Sequence, residues 1–226
     1  MVSYSWVRVN RRKFSLIVKC FCQDLPSLTT SKLVGVTRNT TDRYFGLFRH
    51  LVIREAVVER TNIGLKNGVE IDESYFGPRR VRGKRGRGAS KKIVVLGLRK
   101  RGGKVFTSII PNAEKKTVLP IIRRVVNSGA DIFTDGWRSY DALAVHGYNH
   151  KKVKHSEDEF VNGDAHINGV ESFWSWAKRR MVRFNGIPRH RFSVFLLETE
   201  WRFNHRATIE KDVRKLINQY RKTHGL

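Results

Sequence analysis

An acidic residue in the middle of an otherwise apolar predicted strand constrains this chain more than any other feature. Residues 69–77, VEIDESYFG, contain the good strand formers Val69, Ile71 and Tyr75, and a Gly-Pro pair ends the run, as is typical of a β-strand. An ionised carboxylate is costly to bury unless a cation or a hydrogen-bond donor compensates its charge. Asp72 therefore marks a point where we expect a bound cation or a polar partner.

Two further acids occur in contexts that would bring them to the same point. Asp135 follows the apolar run 130–134, ADIFT, and Glu171 lies in the first turn of a predicted helix in HINGVESFW. We expect Asp72 and Asp135 on neighbouring strands, with Glu171 on a helix that crosses the sheet near them. Converging carboxylates hold pairs of divalent ions, which activate a water or a 3′-hydroxyl and stabilise the leaving oxygen of a phosphoryl displacement. The three acids thus predict metal-dependent chemistry on nucleic-acid phosphates.

Each acid also has a simpler interpretation. Asp72 would suit a buried acid paired with an arginine, and Asp135 precedes a glycine in a typical turn pair. Asn168-x-x-Glu171 resembles a capping box, in which Glu171 bonds back to the backbone of Asn168. Glu73 is expected on the opposite face of its strand, which makes it a poor ligand. Two reserve candidates for metal binding are Asp164 and Glu198.

The charge of the chain favours a polyanionic partner. There are 45 lysines and arginines against 20 acidic residues, for a formal net charge of +25, and nucleic acid is the commonest partner of so basic a protein. A ribosomal-type protein that binds RNA through charge alone is disfavoured, because the chain has 13 Phe and 5 Trp and places acids inside apolar strands. The charge therefore agrees with chemistry on DNA.

The cysteines and the apolar runs indicate in which cellular compartment the protein is expected. Cys20 and Cys22 form a single C-x-C pair, which is too few ligands for a zinc site, so we expect free thiols. The first residues lack the pattern of a signal peptide, and no apolar run reaches the ~18–20 residues of a membrane span. We expect a cytoplasmic, nucleoid-associated protein with no membrane partner.

Residues 1–60 are predicted to be helical and to bind DNA. A short helix that ends at Gly35 is followed by a second helix, for which Asn39 or Thr40 is the predicted N-cap. Helix, glycine-containing turn and helix is the pattern of a helix-turn-helix, although an ordinary pair of packed helices would give a similar pattern. The expected DNA-binding residues at the start of the second helix are Arg38, Asn39 and Arg43.

From residue 69 onward the pattern changes to strands. Three strands, a helix, a fourth strand, a short helix, a fifth strand and a long helix from Asn168 predict an α/β fold, namely an RNase H-like mixed β-sheet flanked by helices and preceded by the small all-α region. We place this domain at 69–206 and a basic carboxy-terminal helix at 207–226. The long helix should bury Trp174 in a core stripe and present cations on its other faces.

Cations predicted to meet DNA phosphates cluster in two places. The first is a glycine-arginine loop directly after the Asp72 strand, which would otherwise be a solvated loop, and the second is the long helix. Phosphate contacts give affinity that is independent of sequence and falls with salt. The residues are Arg79, Arg80, Arg82, Lys84, Arg85, Arg87, Lys178, Arg179 and Arg183.

The segments VEIDESYFG, FTDGWRSY, HINGVESFW, FNGIP and EWRFNHR together resemble the DDE-type bacterial insertion-sequence transposases of the ISXO2-like group, over about residues 30–206. The resemblance implies an RNase H-like domain in which Asp72, Asp135 and Glu171 form the catalytic triad and bind Mg²⁺ or Mn²⁺, with two ions expected. It also implies cleavage and joining of double-stranded DNA at element ends and target, by a homodimer or higher oligomer. Relatives often carry an amino-terminal zinc ribbon that this chain lacks, so end recognition is expected from the helical region.

Two other functions remain open at this stage. A non-catalytic regulator descended from a transposase would keep the charge and the helix-turn-helix, and would have no need of all three acids. An RNase H-like nuclease would cut nucleic acid without joining it to a target. Strand transfer is the reaction that separates these possibilities.

Overall fold

The computed structural model describes residues 9–61, 64–66, 68–77, 92–135, 146–153, 167–184 and 186–224. Its described helices include none that is long and apolar enough to cross a membrane. The predicted glycine-arginine loop, with Arg79, Arg80, Arg82, Lys84, Arg85 and Arg87, lies outside the described residues, as does Asp164.

Seven α-helices and five strands lie within the described residues, in two units. The helical unit comprises residues 1–61 and 205–226, and the sheet unit comprises residues 62–204. The strands are β1 (Val69–Phe76), β2 (Ile93–Lys100), β3 (Val105–Ile110), β4 (Asp131–Thr134) and β5 (Asn149–Lys152). The helices are α1 (Arg11–Cys22), α2 (Ser27–Val34), α3 (Arg38–Thr61), α4 (Lys115–Val125), α5 (Asn168–Val182), α6 (Phe192–Asn204) and α7 (Ile209–Thr223).

In the helical unit a short turn joins α2 to α3. Gly35 ends α2 in the left-handed conformation at φ 65°, which glycine adopts without a steric penalty. Helix α3 then begins at Arg38, and the Thr37 hydroxyl accepts a hydrogen bond from the Thr40 N–H at 3.2 Å. The prediction that Asn39 or Thr40 caps α3 is therefore wrong. The Thr37 hydroxyl already accepts this bond from the position before Arg38, so α3 begins earlier than a cap at Asn39 or Thr40 would allow.

The helical unit has an aromatic core that also receives α7. The Phe21 ring lies edge-on to Phe45 and Phe48, with centroid distances of 5.3 and 5.4 Å. Helix α7 packs on α1 and α3, and its Val213 and Ile217 are buried. The carboxy-terminal helix, which the sequence analysis set apart, thus shares the core of the amino-terminal helices.

His205 joins α3 to the start of α7 through two carboxylates. Its Nε2 lies 2.8 Å from Glu59 Oε1, and its Nδ1 lies 2.8 Å from Asp212 Oδ2. Burial alone would lower the pKa of His205, but the hydrogen bonds and charges of Glu59 and Asp212 outweigh it and raise that pKa. The protonated imidazolium is therefore favoured in the folded protein.

The raised pKa of His205 gives a prediction for the pH dependence of stability. A histidine whose pKa is raised in the folded state stabilises the fold most at a pH below its unfolded pKa, which is about 6.5. This stabilisation is lost as the pH rises through the folded-state pKa. We expect His205→Gln to lower the free energy of unfolding by about 1–2 kcal/mol below that pH, and by less in alkaline buffer. Denaturant unfolding of both proteins across this range measures the difference. A constant difference at all pH values would contradict the prediction.

The sheet unit is built on a five-stranded mixed sheet in the order β3-β2-β1-β4-β5. Strands β1, β2 and β3 pair antiparallel, whereas β4 is parallel to both β1 and β5. This topology, with helices on both faces, is the predicted RNase H-like fold. As expected, the strands that lead to Asp72 and Asp135 are neighbours.

Alternation along the strands gives the sheet two different cores. Val69 and Ile71 of β1 face one side with Ile122 of α4. Phe76 of β1 and Phe133 of β4 belong to the opposite cluster, with α5 and α6. Because side chains alternate along a strand, Asp72 lies on the α5 side.

Helix α6 covers the free edge of β3. The Asn204 side chain accepts from the Val105 N–H at 2.8 Å and donates to the Val105 carbonyl at 2.9 Å, as a paired strand would. Glu200 accepts from the Thr107 N–H and hydroxyl at 2.6 and 2.7 Å. Edge strands with free backbone groups invite pairing with other chains, so these contacts protect β3.

Candidate active site

Asp72 and Asp135 end up side by side because of the parallel pairing of β1 and β4. Glu70 is in register with Phe133, and continuing that register by two residues on each strand brings Asp135 beside Asp72. Asp72 is partly buried, and Asp135 is exposed at the residue that follows β4. The sheet therefore supplies two carboxylates at one position on its α5 face.

Glu171 comes from the first turn of α5, which packs against β1. Its side chain is exposed. The helix begins at Asn168, its N-cap residue is Ile167, and Ile167 makes no side-chain capping bond. The alternative interpretation of Glu171 as part of a capping box is therefore wrong, because Asn168 is the first helical residue and not the N-cap. Glu70 of β1 instead accepts a hydrogen bond from the Val170 N–H.

The pKa of Asp72 reports the closeness of the other two acids. Burial, the largest cause, and the negative charges of Asp135 and Glu171 together raise this pKa to about 6, although the backbone N–H of Glu73 acts to lower it. Like charges raise a carboxyl pKa when they lie near it in a poorly solvated place. Asp72 is therefore the electrostatic centre of a group of three carboxylates.

Trp174 and Gly97 form the wall beside Asp72. Gly97 of β2 is directly opposite Asp72 of β1 in the antiparallel pairing. A methyl group on Gly97 would collide with the Trp174 ring, so the glycine lets the indole approach the sheet backbone closely. The Trp174 ring is buried, as predicted, and its indole N–H acts to lower the pKa of Asp72.

The donor set suits a hard divalent cation. Carboxylate oxygens from separate elements are the ligands that Mg²⁺ and Mn²⁺ prefer, and a cation would relieve the repulsion that raises the pKa of Asp72. Among the described residues, no three His, Cys, Asp or Glu side chains lie close enough together to hold a metal ion in their present positions. Glu171 and Asp135 are both exposed, so their side chains have room to turn.

Cations predicted to meet DNA occupy exposed helix surfaces. Lys178, Arg179 and Arg183 face away from the buried stripe of α5, as expected. On α3, Arg38 makes an exposed ion pair with Asp42 at 3.5 Å, of the kind that contributes little to stability. Asn39 and Arg43 are exposed in the first two turns of α3.

One buried acid beside Asp72, Glu70, was not among the site residues predicted from the sequence. Glu70 is 2% exposed and accepts a hydrogen bond from α5. Its position two residues before Asp72, on the same strand face, was the available signal. Glu198, held in reserve as a metal ligand, instead lies 0% exposed between Arg180 and Arg202, at 2.9 and 2.8 Å.

Comparison with known proteins agrees with the motifs. The ISXO2-like transposase domain matches residues 64–204. An uncharacterized transposase-like protein of Haemophilus influenzae is 45% identical over 101 residues, which cover 45% of this chain and 81% of that protein. An uncharacterized protein in transposable element ISH50 of Halobacterium salinarum is 32% identical over 148 residues, 58% of this chain. The match covers 50% of the length of the ISH50 protein.

Two solved structures of another transposase resemble this chain distantly. The Mos1 transposase paired-end complex with left transposon end has a TM-score of 0.31 at 11% identity, over 95% of this chain and 81% of that chain. The Mos1 strand transfer complex has a TM-score of 0.30 at 12% identity, over 95% and 80%.

Proposed function

The chain belongs to the ISXO2-like transposase family, and we propose that it is an active transposase that cleaves and joins DNA strands at the ends of its insertion sequence. The observation that carries the proposal is the group of three carboxylates, in which Asp135 and Glu171 raise the pKa of Asp72. A protein that only bound DNA would gain nothing from this repulsion, which destabilises the fold. A metal-dependent enzyme gains a cation site.

In this proposal Asp72, Asp135 and Glu171 hold Mg²⁺ or Mn²⁺, with two ions expected. Bound divalent ions supply Lewis acidity toward the scissile phosphate and toward the attacking and leaving oxygens. Asp72 and Asp135 come from adjacent sheet strands, and this supports a rigid base for the site. The protein itself supplies positioning, which is most of what a phosphoryl transfer needs from its enzyme.

Exposed cations would hold the DNA. Lys178 and Arg179 lie on the same helix as Glu171, and Arg183 is the C-cap residue of that helix, so DNA bound to them would pass close to the carboxylates. The exposed Arg38, Asn39 and Arg43 at the start of α3 are proposed to read the element ends, as a recognition helix does. Two ends must meet for transposition, so we expect a homodimer or higher oligomer on DNA.

The test is an assay with labelled duplexes that carry the ends of the element, an unrelated target plasmid and the wild-type protein. With Mg²⁺ or Mn²⁺ we expect cleavage of the end duplex and covalent joining to the plasmid, and with a chelator we expect binding alone. A duplex of the same composition in scrambled order serves as the control. Binding without cleavage under either metal would favour a transposase-derived regulator. Cleavage without joining would favour an RNase H-like nuclease.

A further inference from the structure

Strand β1 carries a second acid, Glu70, on the same face as Asp72. It is 2% exposed, and the proposed chemistry gives it no role. We propose that Glu70 is a positioning residue, which ties α5 and β4 to β1 and thereby keeps Glu171 and Asp135 beside Asp72. Its consequence for catalysis rests on the proposed function, whereas its contacts do not.

The first contact joins Glu70 to the helix that carries Glu171. Glu70 Oε2 accepts a hydrogen bond from the Val170 N–H at 2.7 Å, and Val170 immediately precedes Glu171. The first N–H groups of a helix have no partner within the helix, and Ile167 offers no side-chain cap. Glu70 therefore satisfies one of these groups from another element, and its negative charge suits the positive end of the helix.

The second contact joins Glu70 to the strand that leads to Asp135. The Arg101 Nε lies 3.5 Å from Glu70 Oε1, and the guanidinium of Arg101 lies 3.6 Å from the centre of the Phe133 ring. Phe133 stands two residues before Asp135 on β4. Glu70 thus lies on the strand of Asp72 and bonds to the helix of Glu171. It reaches the strand that leads to Asp135 through Arg101.

Gly169 shows how closely α5 approaches this carboxylate. A methyl group at Gly169 would collide with Glu70 Oε2 and with Arg99 Nη1. Glycine is less favourable than alanine inside a helix, so its presence in the first turn of α5 needs a reason. The close contact between Glu70 and the first turn of α5 supplies that reason.

The experiment compares Glu70→Ala, Glu70→Gln and Gly169→Ala with the wild type and with Glu73→Gln, an acid of the same strand on the opposite face. In metal-free protein, NMR-detected hydrogen exchange measures protection of the Val170 amide. With saturating element-end DNA, the cleavage rate is measured against Mg²⁺ concentration.

We expect Glu70→Ala to speed exchange at Val170 by about tenfold or more, and to raise the half-saturating Mg²⁺ concentration by about 10- to 100-fold, as loss of a partner that orients metal ligands does. Glu70→Gln keeps an acceptor oxygen and should recover much of the Val170 protection. Gly169→Ala should act like Glu70→Ala, although alanine favours helix. Glu73→Gln should match the wild type in both measurements.

Two results would overturn the inference. One is unchanged Val170 protection in both Glu70→Ala and Gly169→Ala. The other is faster exchange spread evenly over β1, β4 and α5, which would mean general destabilisation instead of the loss of a local contact between Glu70 and α5. If the wild type cleaves no DNA under either metal, the proposed function fails, and the exchange measurement still decides whether Glu70 positions α5.

Discussion

Replacing Asp72 by asparagine is expected to abolish strand cleavage and, in metal-free protein near neutral pH, to make the fold more stable. Asparagine keeps the shape of the side chain but removes the charge that burial and the neighbouring acids disfavour. Loss of one group that stabilises transition-state charge costs on the order of 10³-fold in rate. Gain of stability with loss of activity is the pattern of a residue kept for function at the expense of the fold.

The sign of the stability effect follows from the direction of the pKa shift. The folded-state pKa of Asp72 is raised from 3.8 to about 6, so the wild type loses stability as pH rises between these values. Two pKa units correspond to about 3 kcal/mol, and partial exposure reduces this to about 1–2 kcal/mol for Asp72→Asn above pH ~6. The advantage should shrink as pH falls toward 4. Denaturant unfolding in a chelating buffer from pH ~5 to ~8 measures it.

Two other substitutions sharpen this experiment. Asp135→Ala should also abolish cleavage while DNA binding persists, but Asp135 is exposed, so its stability should change by about 0.5 kcal/mol or less. Glu73→Gln, on the opposite face of β1, should keep both activity and stability. An active Asp72→Asn protein would remove Asp72 from the proposed triad, and a less stable one would contradict the electrostatic account of the site.

Most of the fold could be predicted because its signals are local. The strand-forming residues of 69–77, the apolar run 130–134 and the apolar stripe of α5 each specify an element, and the order of elements specifies the sheet. The closeness of Asp72 to Asp135 then follows from parallel pairing of adjacent strands. The position of Glu171 in the first turn of α5 was predicted from its place near the start of the long helix.

The cap of α5 could not be predicted, because its partner is distant in sequence. Asn168-x-x-Glu171 matches a capping box, yet the helix starts one residue too early for it, and Glu70 bonds to the helix across 100 positions of the chain. Nothing near Asn168 in the sequence indicates that contact. The burial of Arg180 could not be predicted for the same reason. The sequence predicts exposed cations on the faces of α5 outside its apolar stripe, whereas Arg180 is buried against Glu198 of α6.

The buried cluster of Arg180, Glu198 and Arg202 supports the second large prediction, which concerns stability. Glu198 Oε1 accepts from Arg180 Nη2 and Arg202 Nε, and all three side chains are less than 5% exposed. Arg180 belongs to α5 and the other two to α6, so the cluster joins the helix of Glu171 to the helix that covers β3. Removing the shared carboxylate leaves two buried guanidinium groups close to each other.

We therefore expect Glu198→Gln to lower the free energy of unfolding by about 3–5 kcal/mol, since it removes the negative charge that two buried guanidinium groups share. Glu210→Gln is the matched control, because Glu210 pairs with Arg214 at the same four-residue spacing but with both side chains at least 36% exposed. That change should cost about 1 kcal/mol or less. Denaturant unfolding of both variants gives the comparison, and similar losses of unfolding free energy in the two would mean that burial does not control the strength of this cluster.

Replacing all three residues of the cluster by apolar ones should recover much of the lost stability, because the cost in Glu198→Gln lies in the buried positive charge and not in the absence of the ion pair.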